Sequence, residues 1–281
     1  MILERIYSFF SYSTDPPVFL GGLHIAVICF TLIGTIYAIR VYGKSPEKSV
    51  RILLLILWII LVINEIYRNV VFSLSLVGDR LRWNYNPGNF PLQLCSSQLY
   101  ILPLVIFLKE GKVRDALICF LSTYSLFGGL AVTVYPGNTL TGVVGINLQS
   151  MIHHSIQVIV GMMLAYRSRR RMDKHYFLGG FTVFMTYFNV AMLYNLIGHK
   201  IVTKMGLGYE INMLFLSPYH KCSIPMLQDI RNQSSYPIMV LTYLIFFTII
   251  AYMIFMAQKS LFSEEKRKNH RYVSQKFKQK Q

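Results

Sequence analysis

The chain has 281 residues, 54% hydrophobic and 14% charged, with 28 Lys and Arg against 12 Asp and Glu and a formal charge of +16. Mean hydropathy is +0.44. The charged residues gather between long apolar runs, which excludes a soluble globular domain. The basic excess is divided between the connections of those runs instead of massed on one face, which excludes a nucleic-acid partner.

Met1–Ser13 has a single basic residue, Arg5, and no small-residue cleavage site follows the first apolar run. That run is therefore expected to stay in the membrane and not to be removed as a signal peptide. Seven runs follow in order: about Val18–Ile39, Ile52–Phe72, Pro91–Leu108, Asp115–Val134, Leu148–Tyr166, Tyr176–Ile197 and Tyr236–Ala257. At 1.5 Å per residue, each is long enough for a hydrocarbon core about 30 Å thick. The expected fold is all-α, a seven-transmembrane-helix bundle over residues 1–258 with a basic cytoplasmic tail over 259–281. The connections after spans one, three and five, with the tail, hold 20 of the 28 Lys and Arg, and the opposite side holds 8, Arg68 included. The positive-inside rule puts the N-terminus outside and the C-terminus in the cytoplasm. Short basic runs such as Arg167–Arg171 and Lys266–Lys280 are expected to touch anionic lipid headgroups.

The polar residues inside the spans are few, and several share one depth. On span one it is His24; on span two, Glu65 and Arg68; on span three, Cys95; on span five, His154; on span six, Asn195. All lie within two or three turns of the outer face, and a shared depth for groups that are costly in hydrocarbon suggests a shared pocket. Pro91 suits the first turn of a helix. It places Cys95 about 6 Å below the outer edge, near the positive end of the helix dipole, with Gln98 one turn on. An unpaired cysteine there is a packing residue or a reactive thiol. On span five, Asn147, Ser150, His154, Gln157 and Gly161 recur at steps of three and four. This makes His154 the inward-facing histidine and turns His153 about 100° away. His154 is then a packing residue or a general base. Glu65 and Arg68, three apart, read as a structural ion pair or as a phosphate-holding arginine with its orienting carboxylate. Asn195 near a helix end reads as a capping or bridging residue.

The connection from His199 to Ser235 mixes apolar and polar residues and is expected to fold over the bundle mouth as a lid, with Met213–Leu216 dipping towards the interface. Cys29 and Cys119 sit on apolar stretches, while Cys95 and Cys222 both lie towards the outer side, where a pairing between them stays open. No C-x-x-C, H-E-x-x-H or Gly-rich phosphate loop is present, so no metal and no soluble cofactor is expected.

Phe90-Pro-Leu-Gln-Leu-Cys95-Ser, Ile152-His-His154-Ser, Asn195-Leu-Ile-Gly198, Asn212-Met-Leu-Phe-Leu-Ser217, Pro225 and Tyr236-Pro237 occur in this order. The set resembles the YwaF-type integral membrane proteins, bacterial relatives of the transmembrane-protein-164 acyltransferases. The resemblance implies transfer of fatty acyl chains between phospholipids and lysolipids in a bacterial plasma membrane. Cys95 matches the nucleophile and His154 the histidine of helix five. Gln98, Asn195 and Asn212 are then candidate donors to the developing oxyanion. The sequence departs from the family at Gln93, where a histidine is common, and in an insertion between Gly198 and Asn212. A small-molecule transporter, with Pro103 and Gly128-Gly129 breaking helices three and four, and a non-catalytic membrane scaffold are the alternatives.

Overall fold

Backbone groups in hydrocarbon must be paired within their own segment, and the long apolar runs answer this by becoming helices. The structure is a computed structural model that describes residues 2–77 and 80–278, with side chains followed to Phe262. Most of the basic tail expected over 259–281 thus lies outside the described side chains. A short amphipathic α1 (Ile2–Phe10) precedes α2 (Gly22–Tyr42) and α3 (Glu47–Ser73). A two-stranded antiparallel hairpin follows, β1 (Leu74–Val77) with β2 (Arg80–Trp83), in which Leu74 faces Trp83 and Val77 faces Arg80. Then come α4 (Gln98–Phe107), α5 (Lys112–Phe120), a π turn at Leu121–Ser125, α6 (Leu126–Val134), α7 (Val144–Ser168) and α8 (Lys174–Lys204). The chain closes with α9 (Pro225–Gln233) and α10 (Tyr236–Lys278).

Among the described residues six helical stretches are long and apolar enough to cross a membrane: α2, α3, Lys112–Val134, α7, α8 and Tyr236–Phe262 of α10. The run expected as the third span is a shorter apolar helix, Leu94–Phe107. Its approach from Pro91 to Gln93 is not helical, so Pro91 stands ahead of the helix and not in its first turn. The interruption expected at Gly128-Gly129 falls instead one turn earlier, at the π turn. Gly129 serves close packing: a Cβ there would stand 3.1 Å from the Gln157 side chain of α7.

The centre of the bundle is α7. In its most apolar window 78% of residues are buried, against 17% for α2 and 22% for α3. The outer helices α2, α3, α8 and α10 turn Ile, Leu and Phe side chains outward, as Ile33, Ile63, Leu193 and Ile249 do. In a bilayer these face acyl chains, so their exposure needs no protein partner.

At one end of the bundle Glu47 gathers three arginines. Its Oε2 pairs with Arg167 at 2.9 Å, its Oε1 with Arg51 at 3.4 Å, and Oε1 also meets Arg114 closely. The same arginines cap helix ends that lack intrahelical donors. Arg51 donates to the Ile106 and Leu108 carbonyls, Arg114 to Val105, and Arg167 to Tyr42 and Ser45. Glu47→Gln removes the carboxylate that pairs with all three arginines. The expected loss is about 2 kcal/mol, below the ~3–5 for breaking a fully buried pair, because the carboxylate is 31% exposed. A clear fall in thermal midpoint in detergent, with no change for exposed Lys48→Gln, is the result to look for.

Candidate active site

At the other end, the chain leaves the hairpin through a turn capped by Asn86, whose side chain accepts from the Gly88 amide at 2.8 Å. Gly88 packs against the Glu210 carbonyl with no room for a Cβ. Phe90–Gln93 is a bent, non-helical stretch in which the Leu92 amide donates to the Phe90 carbonyl at 2.8 Å, and a 3-10 turn at Leu94–Ser97 leads into α4. Cys95 sits in that turn. The π turn braces it from below: Ser125 Oγ accepts from Gln157 Nε2 at 2.8 Å and lies 3.4 Å from Ser97 Oγ. All four cysteines are free, so Cys95 and Cys222 are not paired. Burial pushes the Cys222 thiol up.

Both histidines of α7 border the space next to Cys95. His154 Nδ1 lies 2.6 Å from the Ser150 carbonyl and 3.4 Å from its hydroxyl. A carbonyl only accepts, so Nδ1 carries the proton and Nε2 keeps its lone pair. That Nε2 is buried and has no partner among the described residues. His153 has the opposite tautomer: Nε2 donates to the Cys95 carbonyl at 3.1 Å, and Nδ1 is the buried, unpartnered lone pair. The ring centroids are 5.6 Å apart. His153 is therefore not turned away, contrary to the helical spacing. Because α7 is enclosed by other helices, a side chain 100° from the polar stripe still meets protein, here the Cys95 turn.

A cavity of about 580 Å³ joins these groups. Glu65 and Arg68 of α3 line it as an ion pair of 2.9 Å, with Asn69 donating to the same carboxylate at 2.7 Å and Arg68 also donating to the Asn89 carbonyl. Phe127, Ala131, Tyr243, Phe246 and Phe247 supply an apolar wall. Gly128 lines it next to the Cys95 turn, where a Cβ would make only ordinary contacts, 3.7 Å from Gln157 Nε2 and 3.8 Å from the Cys95 nitrogen.

The lid expected from the His199–Ser235 connection is present but shorter, because α8 runs on to Lys204. Leu214, Phe215 and Ile224 line the cavity. Leu214 and Phe215 have φ of 55° and 59°, a left-handed conformation that costs about 1–2 kcal/mol per residue. Three amides hold it. Asn195 clamps Met213 from both sides, Nδ2 to its carbonyl at 3.0 Å and Oδ1 from its N–H at 2.7 Å. Gln93 does the same across Asn212 O (3.0 Å) and Leu214 N (2.9 Å). Asn212 closes the turn onto Lys221 O and Ser217 N. Arg231 adds donations to the Ser217, Pro218 and His220 carbonyls, and Tyr236 to Leu216.

Four residues expected at the pocket are thus elsewhere. Asn195 and Asn212 direct their amides into the lid backbone. Gln98 is buried and donates to the His153 carbonyl at 3.3 Å, outside the cavity lining. His24 is satisfied on both nitrogens, by the Leu20 N–H at 3.1 Å and the Thr133 carbonyl at 2.9 Å, so it ties α2 to α6. The residues that do come together are Cys95, His154, Glu65 and Arg68, with His153 added. Among the described residues no group of three or more His, Cys, Asp or Glu is arranged to hold a metal ion.

No curated protein and no solved structure matches the chain. A family model does match, that of the TMEM164 family, over residues 9–260, a stretch that takes in Cys95, both histidines, the lid and every helix from α2 to the apolar part of α10. On this match the chain belongs to the TMEM164 family.

Proposed function

We propose that the protein is an integral membrane acyltransferase that moves fatty acyl chains between phospholipids through a thioester on Cys95. One observation supports this most: a free thiol and two histidines, each with one buried ring nitrogen that has no partner among the described residues, border one cavity, beside a guanidinium and an apolar wall. His154 Nε2 takes the thiol proton, and the thiolate attacks an ester carbonyl of the donor lipid. The ester C–O bond breaks, the departing alkoxide takes the proton from the imidazolium, and a lysolipid leaves. A second lipid hydroxyl then gives its proton to His154 and attacks the thioester, which returns Cys95 to the thiol after the proton moves back. His153 positions the Cys95 turn through its carbonyl. Arg68, oriented by Glu65, holds the donor phosphate. The phosphate and ester region of a lipid lies at the headgroup boundary, the depth assigned to Cys95. The protein needs no soluble cofactor. Incubated with phospholipid labelled in an acyl chain, it is expected to acquire label on Cys95 that hydroxylamine removes. Labelled lipid that leaves Cys95 unmodified overturns the thioester.

We further propose seven crossings, N-terminus outside and C-terminus in the cytoplasm, in a bacterial plasma membrane. The short Leu94–Phe107 helix counts as a crossing because it starts at the Cys95 end, while Ile106, Leu108 and Arg114 join the Glu47 cluster at the other. The Glu47 end also carries the basic Arg167–Arg171 run, which meets anionic headgroups on the cytoplasmic side. Alkaline phosphatase fused after Gln281 is expected to be inactive on intact cells; an active fusion reverses the orientation.

A further inference from the structure

A second cavity of about 560 Å³ lies between α3 and α7, and the mechanism above does not use it. Asn64, Tyr67, Leu148, Gln149 and Ile152 line it, with Tyr12 of the N-terminal segment. Gln149 borders both this space and the Cys95 cavity, so its side chain lies where the two meet. The next residue, Ser150, is the one that fixes His154.

Two features point to a lipid occupant. Leu148 and Ile152 are 46% and 39% exposed, so the α7 rim of the cavity faces the acyl chains. Asn64 lines the cavity, and its amide nitrogen is buried without an acceptor among the described residues. Buried amide donors are almost always paired, and a ligand oxygen is the partner this one lacks. A largely apolar groove with this waiting donor fits a single-tailed lipid whose tail runs between α3 and α7 and whose oxygen meets Asn64.

We propose that this second cavity binds the acyl acceptor, a lysophospholipid with a free hydroxyl, and that Gln149 is the gate through which the hydroxyl reaches the thioester. The proposal rests on the acyl-transfer reading. In the transfer step the acceptor O–H bond breaks, its proton goes to the His154 lone pair, and the oxygen forms an ester bond as the C–S bond of the thioester breaks. The thiolate then recovers the proton. Separate cavities for donor and acceptor have a kinetic consequence: the acceptor does not compete with the donor for thioester formation.

The test uses the full chain in lipid nanodiscs with a lysophosphatidylcholine that carries a photoreactive group in its tail. In Cys95→Ala protein, which has no nucleophile, crosslinks are expected on the α3 and α7 peptides around Tyr67 and Ile152. Asn64→Leu is expected to cut labelling about fivefold, as for one lost hydrogen bond. Leu148→Trp fills the groove from its exposed side without touching the core. It is expected to raise the acceptor KM at least about tenfold in protein with Cys95 intact, with the loss in the acceptor half of the reaction and not in thioester formation. Crosslinks on Phe127 or Phe247 in place of α3, labelling indifferent to Leu148→Trp, or competition between lysolipid and donor overturns the assignment. Wild-type protein that forms no thioester overturns the acyl-transfer reading itself and the acceptor role with it. A thioester that forms normally while crosslinks fall elsewhere overturns the second cavity alone.

Discussion

Cys95→Ser is expected to abolish acyl transfer while the protein folds as before. Serine is nearly isosteric, the 3-10 turn is held by Ser97 Oγ on the Leu94 carbonyl and by His153 on the Cys95 carbonyl, and neither bond uses the thiol. The hydroxyl, however, is far harder to deprotonate than a thiol, and an imidazole that suffices for a thiol activates it poorly. The loss should reach at least about 10³-fold, within the range supplied by a positioned base acting on a competent nucleophile. Any acyl group that does reach the introduced serine is an oxygen ester and survives hydroxylamine, so the chemistry of the residual adduct identifies the attacked position. Cys29→Ser and Cys119→Ser serve as controls. Cys29 faces outward from α2, and Cys119 packs against Gly180 inside the bundle. Transfer measured with labelled phospholipid and lysolipid decides the matter. Wild-type transfer by Cys95→Ser removes the covalent mechanism and brings the transporter or scaffold reading forward.

What is legible in the sequence follows from what each signal encodes. Six of the seven apolar runs form helices long enough to span, because length and hydropathy alone settle that property. Depth below the membrane face brings Cys95, His154, Glu65 and Arg68 to one cavity, since depth is fixed by residue count along a helix. Azimuth is less secure. Helical spacing turns His153 away only if α7 has one protein-facing side, whereas most of α7 is buried and the adjacent histidine meets the Cys95 turn. The consecutive pair His153-His154 is the available signal, since two buried imidazoles on one helix both need partners. Amides are the least legible. Asn195 and Asn212 have the composition of oxyanion donors, but a carboxamide equally fits one N–H and one C=O of a backbone, and only the fold shows that the lid needs them. Gln93 is the clearest case. Its bonds to Asn212 and Leu214 bridge more than a hundred residues of sequence. The position that departs from the family's common histidine is thus a lid clamp here. His24 shares the right depth but lies on α2, whose partner at that level is the end of α6.

The two histidines are expected to separate under substitution by glutamine. Glutamine keeps an N–H donor at roughly the position of imidazole Nε2 but has no basic lone pair. At position 153 the N–H donates to the Cys95 carbonyl, so His153→Gln can preserve the bond that places the nucleophile. Transfer by this variant should stay within about tenfold of wild type if positioning is its role. At position 154 the contribution is the unpartnered Nε2 lone pair, held in that tautomer by the Ser150 carbonyl. His154→Gln removes it, and the expected loss is about 10²–10⁴-fold, the usual span for a general base. The pH dependence gives a second readout with a definite sign. As pH rises, thiolate forms without a base, so thioester formation by His154→Gln should recover on the alkaline side. The transfer half should not recover with it, because an acceptor hydroxyl stays protonated far above that range. The variant should therefore accumulate acyl-enzyme at high pH, seen as hydroxylamine-sensitive label that added lysolipid does not discharge. Loss of two or more orders of magnitude in His153→Gln, with His154→Gln near wild type, assigns the base to His153 instead. In that case its Nδ1 lone pair, also buried and unpartnered, takes the thiol proton, and the Ser150–His154 contact becomes the positioning element.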